Sequence, residues 1–164
     1  PGAQASADSI SSFTSSVISG MTSSVSKFDT TCSTFDAPVI TVETDNRSGV
    51  SVDRDAAEAL AVRVVTAEGV SDGELGIAWV ASDEMRALKR EHLGIDETTD
   101  VLSFPLDGRD ELPDGEPRAL GDVVLCPDIV GESWREPLVH GLLHLLGYDH
   151  GEEMTARERA HVSQ

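Results

Sequence analysis

The sequence predicts an α+β fold, in which a small mixed β-sheet packs against helices and one of these helices lies in a cleft. Two observations support this prediction. Short segments with alternating or continuous apolar residues indicate strands, and segments with apolar residues at helical spacing indicate helices. These elements do not alternate regularly, which favours an α+β order over a doubly wound sheet. A chain of 164 residues has room for one such domain.

The chain divides near Pro38. Residues 1–37 contain 16 Ser or Thr and a single lysine, Lys27. This composition buries too little apolar area to offset the entropy of ordering, so we expect a disordered or weakly helical extension. Residues 38–164 are expected to form the folded domain.

Strand and helix signals follow one another in the first half of this domain. Ile40 and Val42 alternate with polar residues and predict a strand. Asp53 is suited to cap a helix that ends at Gly69. A helix from Ser82 to Gly94 is expected to bury Met85 and Leu88. The buried stripe expected in the first helix is Ala57, Leu60, Ala61, Val64 and Val65. Further strands are expected at 75–80, 99–104 and 120–126, with a loop at 107–118.

The segment after Val130 predicts a helix, a turn and a last helix. Pro137 fits the first turn of a helix, which we expect to run from Glu136 to Leu146. Gly147 can end it by adopting a left-handed conformation. The last helix is expected at 152–162.

Three of the five histidines fall within 11 residues. His140 and His144 are four residues apart, so a helix places both imidazoles on one face. The turn at Gly147 can bring His150 round as a third ligand. Three protein ligands plus water is the usual arrangement of a catalytic zinc site. Asp149 either accepts a hydrogen bond from a ligand imidazole or caps the last helix.

The same spacing is found in metzincin peptidases, which carry a glutamate directly after the first histidine as the general base. Here that residue is Gly141, which has no side chain to move a proton. A peptidase of that type is therefore disfavoured. A metal ion could still activate water and polarise a phosphate without a carboxylate.

The overall composition narrows the function classes. The formal charge of −18 argues against broad electrostatic binding to a phosphate backbone. Cys32 and Cys126 do not suggest a disulfide framework, and Cys126 is expected to be buried. No signal peptide or membrane span is expected. A cytoplasmic setting therefore fits the sequence best.

Three segments stand out: Thr99–Pro105 (TDVLSFP), Leu120–Val124 (LGDVV) and His140–His150 (HGLLHLLGYDH). Together they resemble the YbeY family of bacterial rRNA-maturation endoribonucleases. The resemblance extends over about residues 39–154 and leaves out residues 1–37.

The resemblance implies a single-strand-specific, metal-dependent endoribonuclease in small-subunit rRNA 3′-end maturation and ribosome quality control. It implies His140, His144 and His150 as ligands of one divalent ion, most favourably zinc, which activates water. The implied partners are rRNA and the small ribosomal subunit or its proteins. Ser103 and Asp122 lie in the family motifs and either shape the substrate cleft or serve strand hydrogen bonding and turn formation.

The sequence departs from the family pattern at three places. Leu93 stands where the family usually has an arginine associated with RNA handling. Lys89 or Arg90 either replaces that charge or is a solvated surface charge. The connection from Cys126 to His140 and the stretch after His150 are both shorter than usual. The missing glutamate, the missing arginine and the acidic charge keep open a second hypothesis, a non-catalytic, metal-stabilised ribosome-assembly factor. The two remaining histidines, His92 and His161, are expected at the surface.

Overall fold

The computed structural model describes residues 39–108 and 118–163. The predicted extension at 1–37 and most of the loop predicted at 107–118 lie outside these ranges. The strands are β1 Val39–Asn46, β2 Asp72–Trp79, β3 Val101–Pro105 and β4 Ala119–Leu125. The helices are α1 Arg54–Ala67, α2 Ser82–Leu93, α3 Pro127–Val130, α4 Arg135–Leu145 and α5 Glu152–Val162, with a 3₁₀ turn at Gly131–Ser133 before α4.

Within the described residues the strands form one mixed sheet in the order β1-β2-β4-β3. β1, β2 and β4 are parallel, whereas β3 is antiparallel to β4. Helix α1 provides the crossover that the parallel pair β1 and β2 requires. The predicted α+β fold with a small mixed sheet is therefore confirmed.

The two faces of the sheet have different neighbours. Leu75, Ile77 and Trp79 of β2 project from one face into the main core, which they share with residues of α1 and α4. Because side chains alternate along a strand, Gly76 and its β4 neighbour Asp122 lie on the other face. Helix α4, which carries two of the histidines, therefore packs on the core face.

The expected helix signals are confirmed in their details. The Asp53 carboxylate accepts a hydrogen bond from the backbone N–H of Ala56 at 3.1 Å and caps α1. Gly94 ends α2 with a φ of 69°. The five residues expected to form the apolar stripe of α1 are all buried, and so are Met85, Leu88 and Cys126.

Strand β2 begins at Asp72, three residues before the predicted start at Leu75. The added residues Asp72, Gly73 and Glu74 carry no apolar pattern, but they pair with β1 on one side. Backbone hydrogen bonding, rather than side-chain hydrophobicity, extends this strand. None of the helices within the described ranges combines the length and the apolar character that a membrane span requires.

Candidate metal centre

Helix α4 carries His140 and His144 and is packed firmly against the core. Its leucines Leu138, Leu142 and Leu143 are fully buried in the core. His140 and His144 are only half-buried and lie on the side of the helix that the leucines leave open. Their ring centroids are 4.6 Å apart, as expected for imidazoles one helical turn apart.

The turn after α4 brings the third histidine to the other two. The backbone N–H of Gly147 donates to the carbonyl of His144, and that of Tyr148 donates to the carbonyl of Leu143, both at 3.0 Å. This pair of bonds is a Schellman motif, which requires a left-handed residue at the position of Gly147. The φ of Gly147 is 83°, a conformation that side chains disfavour. The chain therefore reverses direction, and His150 returns toward the helix.

The three imidazoles converge through their Nε2 atoms. The Nε2 atom of His144 lies 3.1 Å from that of His140 and 3.3 Å from that of His150. One ligand atom from each histidine lies within 4.8 Å of the others. His150 is exposed, so the convergence point is open to solvent on one side.

Two of the rings are held from behind by oxygen acceptors. His140 Nδ1 lies 2.5 Å from Oε1 of Glu158 on α5, and His144 Nδ1 lies 2.8 Å from the backbone carbonyl of Tyr148. A carbonyl or a carboxylate can only accept, so each Nδ1 carries the proton. In the neutral ring, Nε2 then has a free lone pair directed at the convergence point.

This arrangement fits a metal ion. The lone pairs of His140 and His144 face each other at 3.1 Å with no proton between them in the neutral tautomers, an arrangement that a shared cation stabilises. Nitrogens bound to tetrahedral zinc at 2.0–2.1 Å are separated by about 3.3 Å, close to the spacing found here.

The electrostatics of His144 also suit a ligand. Burial lowers the pKa of His144, and the neighbouring His140 and His150 lower it further, while the carbonyl of Tyr148 acts in the opposite direction. The net reduction favours the neutral imidazole near pH 7, which is the form that binds metals.

Ser103 and Asp122, the other residues taken from the family motifs, lie on opposite faces of the sheet. A Cβ atom placed on Gly141 would lie 3.0 Å from Ser103 Oγ, so Ser103 is next to the ligand helix. Asp122 projects from the other face, above Gly76, whose missing side chain makes room for its carboxylate. Asp122 lies within β4, paired with Gly76 of β2 and Phe104 of β3, as the strand alternative expected, and its side chain lies on the face of the sheet opposite the histidines.

Burial raises the pKa of Asp122, and the negative charge of Glu43 raises it further. Glu43 of β1 pairs with Gly76 of β2, and Gly76 pairs on its other side with Asp122 of β4. The two carboxylates therefore share the face that is turned away from the histidines.

Neither role expected for Asp149 is found. Among the described residues, its carboxylate makes no hydrogen bond with a ligand imidazole, and α5 begins after Gly151 without a side-chain cap. Glu158 and the carbonyl of Tyr148 take the place at the imidazoles that was expected for Asp149. The side chain of Asp149 is exposed.

The basic residues near Leu93 are already engaged. Lys89 Nζ lies 2.8 Å from Glu97, and an Arg90 nitrogen lies 3.7 Å from Asp96. Leu93 itself is 43% exposed. Lys89 and Arg90 are therefore both paired with carboxylates, and neither is an unpaired cation that could replace the family arginine.

A buried glutamate, Glu68, is hydrogen-bonded to Tyr148 in the turn that follows α4. The side chain of Glu68, at the end of α1, is 2% exposed. It accepts hydrogen bonds from the Tyr148 hydroxyl at 2.7 Å and from Arg157 at 2.9 Å, and it bonds to His161 Nε2 at 2.7 Å. Because the Tyr148 carbonyl holds His144, this network connects α1 and α5 to the three-histidine cluster.

The expectation that His92 and His161 are surface residues is wrong. His161 is only 5% exposed, because α5 turns it toward Glu68. His92 is half-buried, with its ring edge against Phe104 at a centroid distance of 4.9 Å. Sequence reasoning also missed Glu68 and Glu158, since each lies on a helix with several similar acidic residues and only packing selects it.

The chain is similar to known proteins over most of the described residues. The model of the family described as endoribonuclease YbeY matches residues 41–163. The endoribonuclease YbeY of Salinispora tropica is 39% identical, with 73% of this chain and 88% of the relative covered. That of Acidothermus cellulolyticus is 43% identical, covering 73% and 84%. A solution structure of a Thermotoga maritima protein is 27% identical with a TM-score of 0.52, covering 74% of this chain and 87% of that one. The chain belongs to the YbeY family.

Proposed function

We propose that this protein is a metal-dependent endoribonuclease that cuts single-stranded RNA during 3′-end maturation and quality control of the small ribosomal subunit. The observation that carries the proposal is the convergence of three Nε2 atoms at a point open to solvent. The relatives named endoribonuclease YbeY support RNA as the substrate. The partners we propose are rRNA and the small subunit or its proteins, in the cytoplasm.

His140, His144 and His150 would hold the ion, and zinc is the metal that three imidazoles and one open position favour. Such an ion supplies Lewis-acid chemistry, because it lowers the pKa of water and stabilises negative charge on a phosphate oxygen. The chain itself contributes orientation. Glu158 and the Tyr148 carbonyl keep the protons on Nδ1, and the buried leucines of α4 hold the helix in place.

The position of Gly141 argues against a peptidase of the metzincin type. A Cβ atom there would lie 2.7 Å from Cγ1 of Val123 and 3.0 Å from Ser103 Oγ. Residue 141 is directed at the sheet, so a glutamate at this position could not replace the missing base without displacing the strands. The centre therefore depends on the ion for its chemistry.

Local attraction for RNA must overcome the charge of −18. The basic residues of α2 are paired with Asp96 and Glu97, which reduces their pull on phosphates. The divalent ion would then be the main positive charge at the cleft. We therefore expect RNA binding to fall when the ion is removed, as well as cleavage.

The test is cleavage of a single-stranded RNA spanning the 3′ end of small-subunit rRNA by purified protein. We expect cutting that stops with a chelator, returns with zinc, and is lost in His144→Ala and His150→Ala. His150 is exposed, so its replacement is the variant least able to disturb the core. Equal cutting by wild type and both variants would overturn the proposal. Stoichiometric zinc binding without cutting would favour the non-catalytic assembly factor instead. The observation that favours this second function is Leu93, which stands at the position of the family arginine.

A further inference from the structure

Among the described residues, Glu158 is the one whose carboxylate is hydrogen-bonded to one of the three histidines. It lies on α5, the helix that follows His150, and its Oε1 is 2.5 Å from Nδ1 of His140. The two side chains are 27% and 31% exposed, so water competes only in part for this contact. A carboxylate in this position accepts the Nδ1 proton and leaves Nε2 free on the other side of the ring.

The three histidines differ in how they are held. His144 is held by a neutral backbone carbonyl. For His150, the described residues show no acceptor at Nδ1. His140 alone of the three donates to a charged group. A negative acceptor increases the electron density of the imidazole, which makes Nε2 a stronger donor to a cation.

The structural work of α5 falls to other residues. Arg157 and His161 join this helix to Glu68, and Met154 is buried in the core. Among the described residues, Glu158 has no ion pair with an arginine or a lysine. Removing its charge should therefore leave the packing of α5 intact.

We infer that Glu158 is a positioning residue that fixes the tautomer and orientation of His140 and thereby sets the affinity of the centre for its ion. The inference rests on the metal centre of the proposed function, but it does not require that the protein cuts RNA.

The test is a competition titration of zinc against a chromophoric chelator, with wild type, Glu158→Gln, Glu158→Ala and the control Glu153→Gln. Glu153 is an exposed glutamate of the same helix, so its replacement removes the same charge. Loss of such a partner typically weakens metal binding 10–100-fold. We expect a Kd increase of about 10-fold for Glu158→Gln, a larger one for Glu158→Ala, and less than about 3-fold for Glu153→Gln.

A second readout separates positioning from a general effect on folding. In metal-free protein with ¹⁵N-labelled histidine, NMR should show His140 protonated at Nδ1 in wild type and partly at Nε2 in Glu158→Ala, while the melting temperature changes little. Zinc affinity for Glu158→Gln equal to that of Glu153→Gln would overturn the inference. Loss of affinity in a protein that cuts no RNA would uphold it while refuting the nuclease.

Discussion

The substitution Gly141→Ala tests how closely α4, the helix that carries His140 and His144, packs against the sheet. The added Cβ atom would lie 2.7 Å from Val123 Cγ1 and 3.2 Å from its Cγ2. Valine is stiff at χ1 and is buried in β4, so it cannot easily move away. The substitution therefore forces either the strand or the helix to shift.

Two opposing effects set the size of the change. Alanine is favoured over glycine in a helix by about 1 kcal/mol. Overpacking a core costs about 1–3 kcal/mol. We therefore expect Gly141→Ala to lower the free energy of unfolding by up to about 2 kcal/mol, and to weaken zinc binding because His140 moves with the helix.

Urea unfolding of Gly141→Ala, Val123→Ala and the double variant isolates the contact. Val123→Ala removes the two methyl groups at 2.7 and 3.2 Å and leaves the Ser103 Oγ contact at 3.0 Å, so Gly141→Ala should cost clearly less stability in that background than in wild type. We expect a coupling free energy of at least about 1 kcal/mol between the two sites. A gain of about 1 kcal/mol for Gly141→Ala alone, as helix propensity predicts, would refute the steric reasoning.

Glu68→Gln should lower the free energy of unfolding at pH 7 by about 1–3 kcal/mol, since three donors lose a charged acceptor, whereas the exposed control Glu91→Gln should change it little. Burial by itself raises the pKa of Glu68, but the hydrogen bonds from His161 and Tyr148 and the charge of Arg157 lower it overall. Its contribution is therefore present above the unfolded pKa, about 4.3, and is lost as the pH falls through the folded pKa. The gap between wild type and variant in urea unfolding should shrink toward about pH 3, and a constant gap would contradict this. Asp122→Asn should raise stability at pH 7 by up to about 1 kcal/mol, because the pKa of Asp122 is raised by burial and its charged form is disfavoured. That gain should vanish below the unfolded pKa, and a less stable variant at pH 7 would count against the assignment. Zinc at 100 times its Kd should stabilise wild type by about 2.7 kcal/mol, measured by thermal unfolding, with no such rise in His144→Ala.

Local patterns were sufficient where one segment determines its own geometry. Helix periodicity placed His140 and His144 on one face, and Gly147 marked the turn that returns His150. The caps at Asp53 and Gly94 and the buried stripe of α1 follow from the same short-range rules. The structure brings the three histidines together as expected.

Contacts between distant segments were not accessible in this way. Glu68 and His161 are separated by 93 residues, and nothing near either one distinguishes it from other acidic or surface residues. The sheet face of Asp122 depends on pairing with β2, because its motif marks a strand without saying which side is covered. These assignments needed the order of strands and the packing of helices.

The sequence by itself determined the class of fold, the grouping of the three histidines and the family, because each rests on patterns within short segments of the chain. Only the tertiary structure decided that Glu158 contacts His140, that the Tyr148 carbonyl contacts His144, and that Asp149 and Asp122 contact neither. It also showed that Gly141 faces the sheet, which explains why a glutamate cannot occupy that position. A metal centre takes its ligands from one short segment, but the groups that orient them come from wherever the fold places an acceptor.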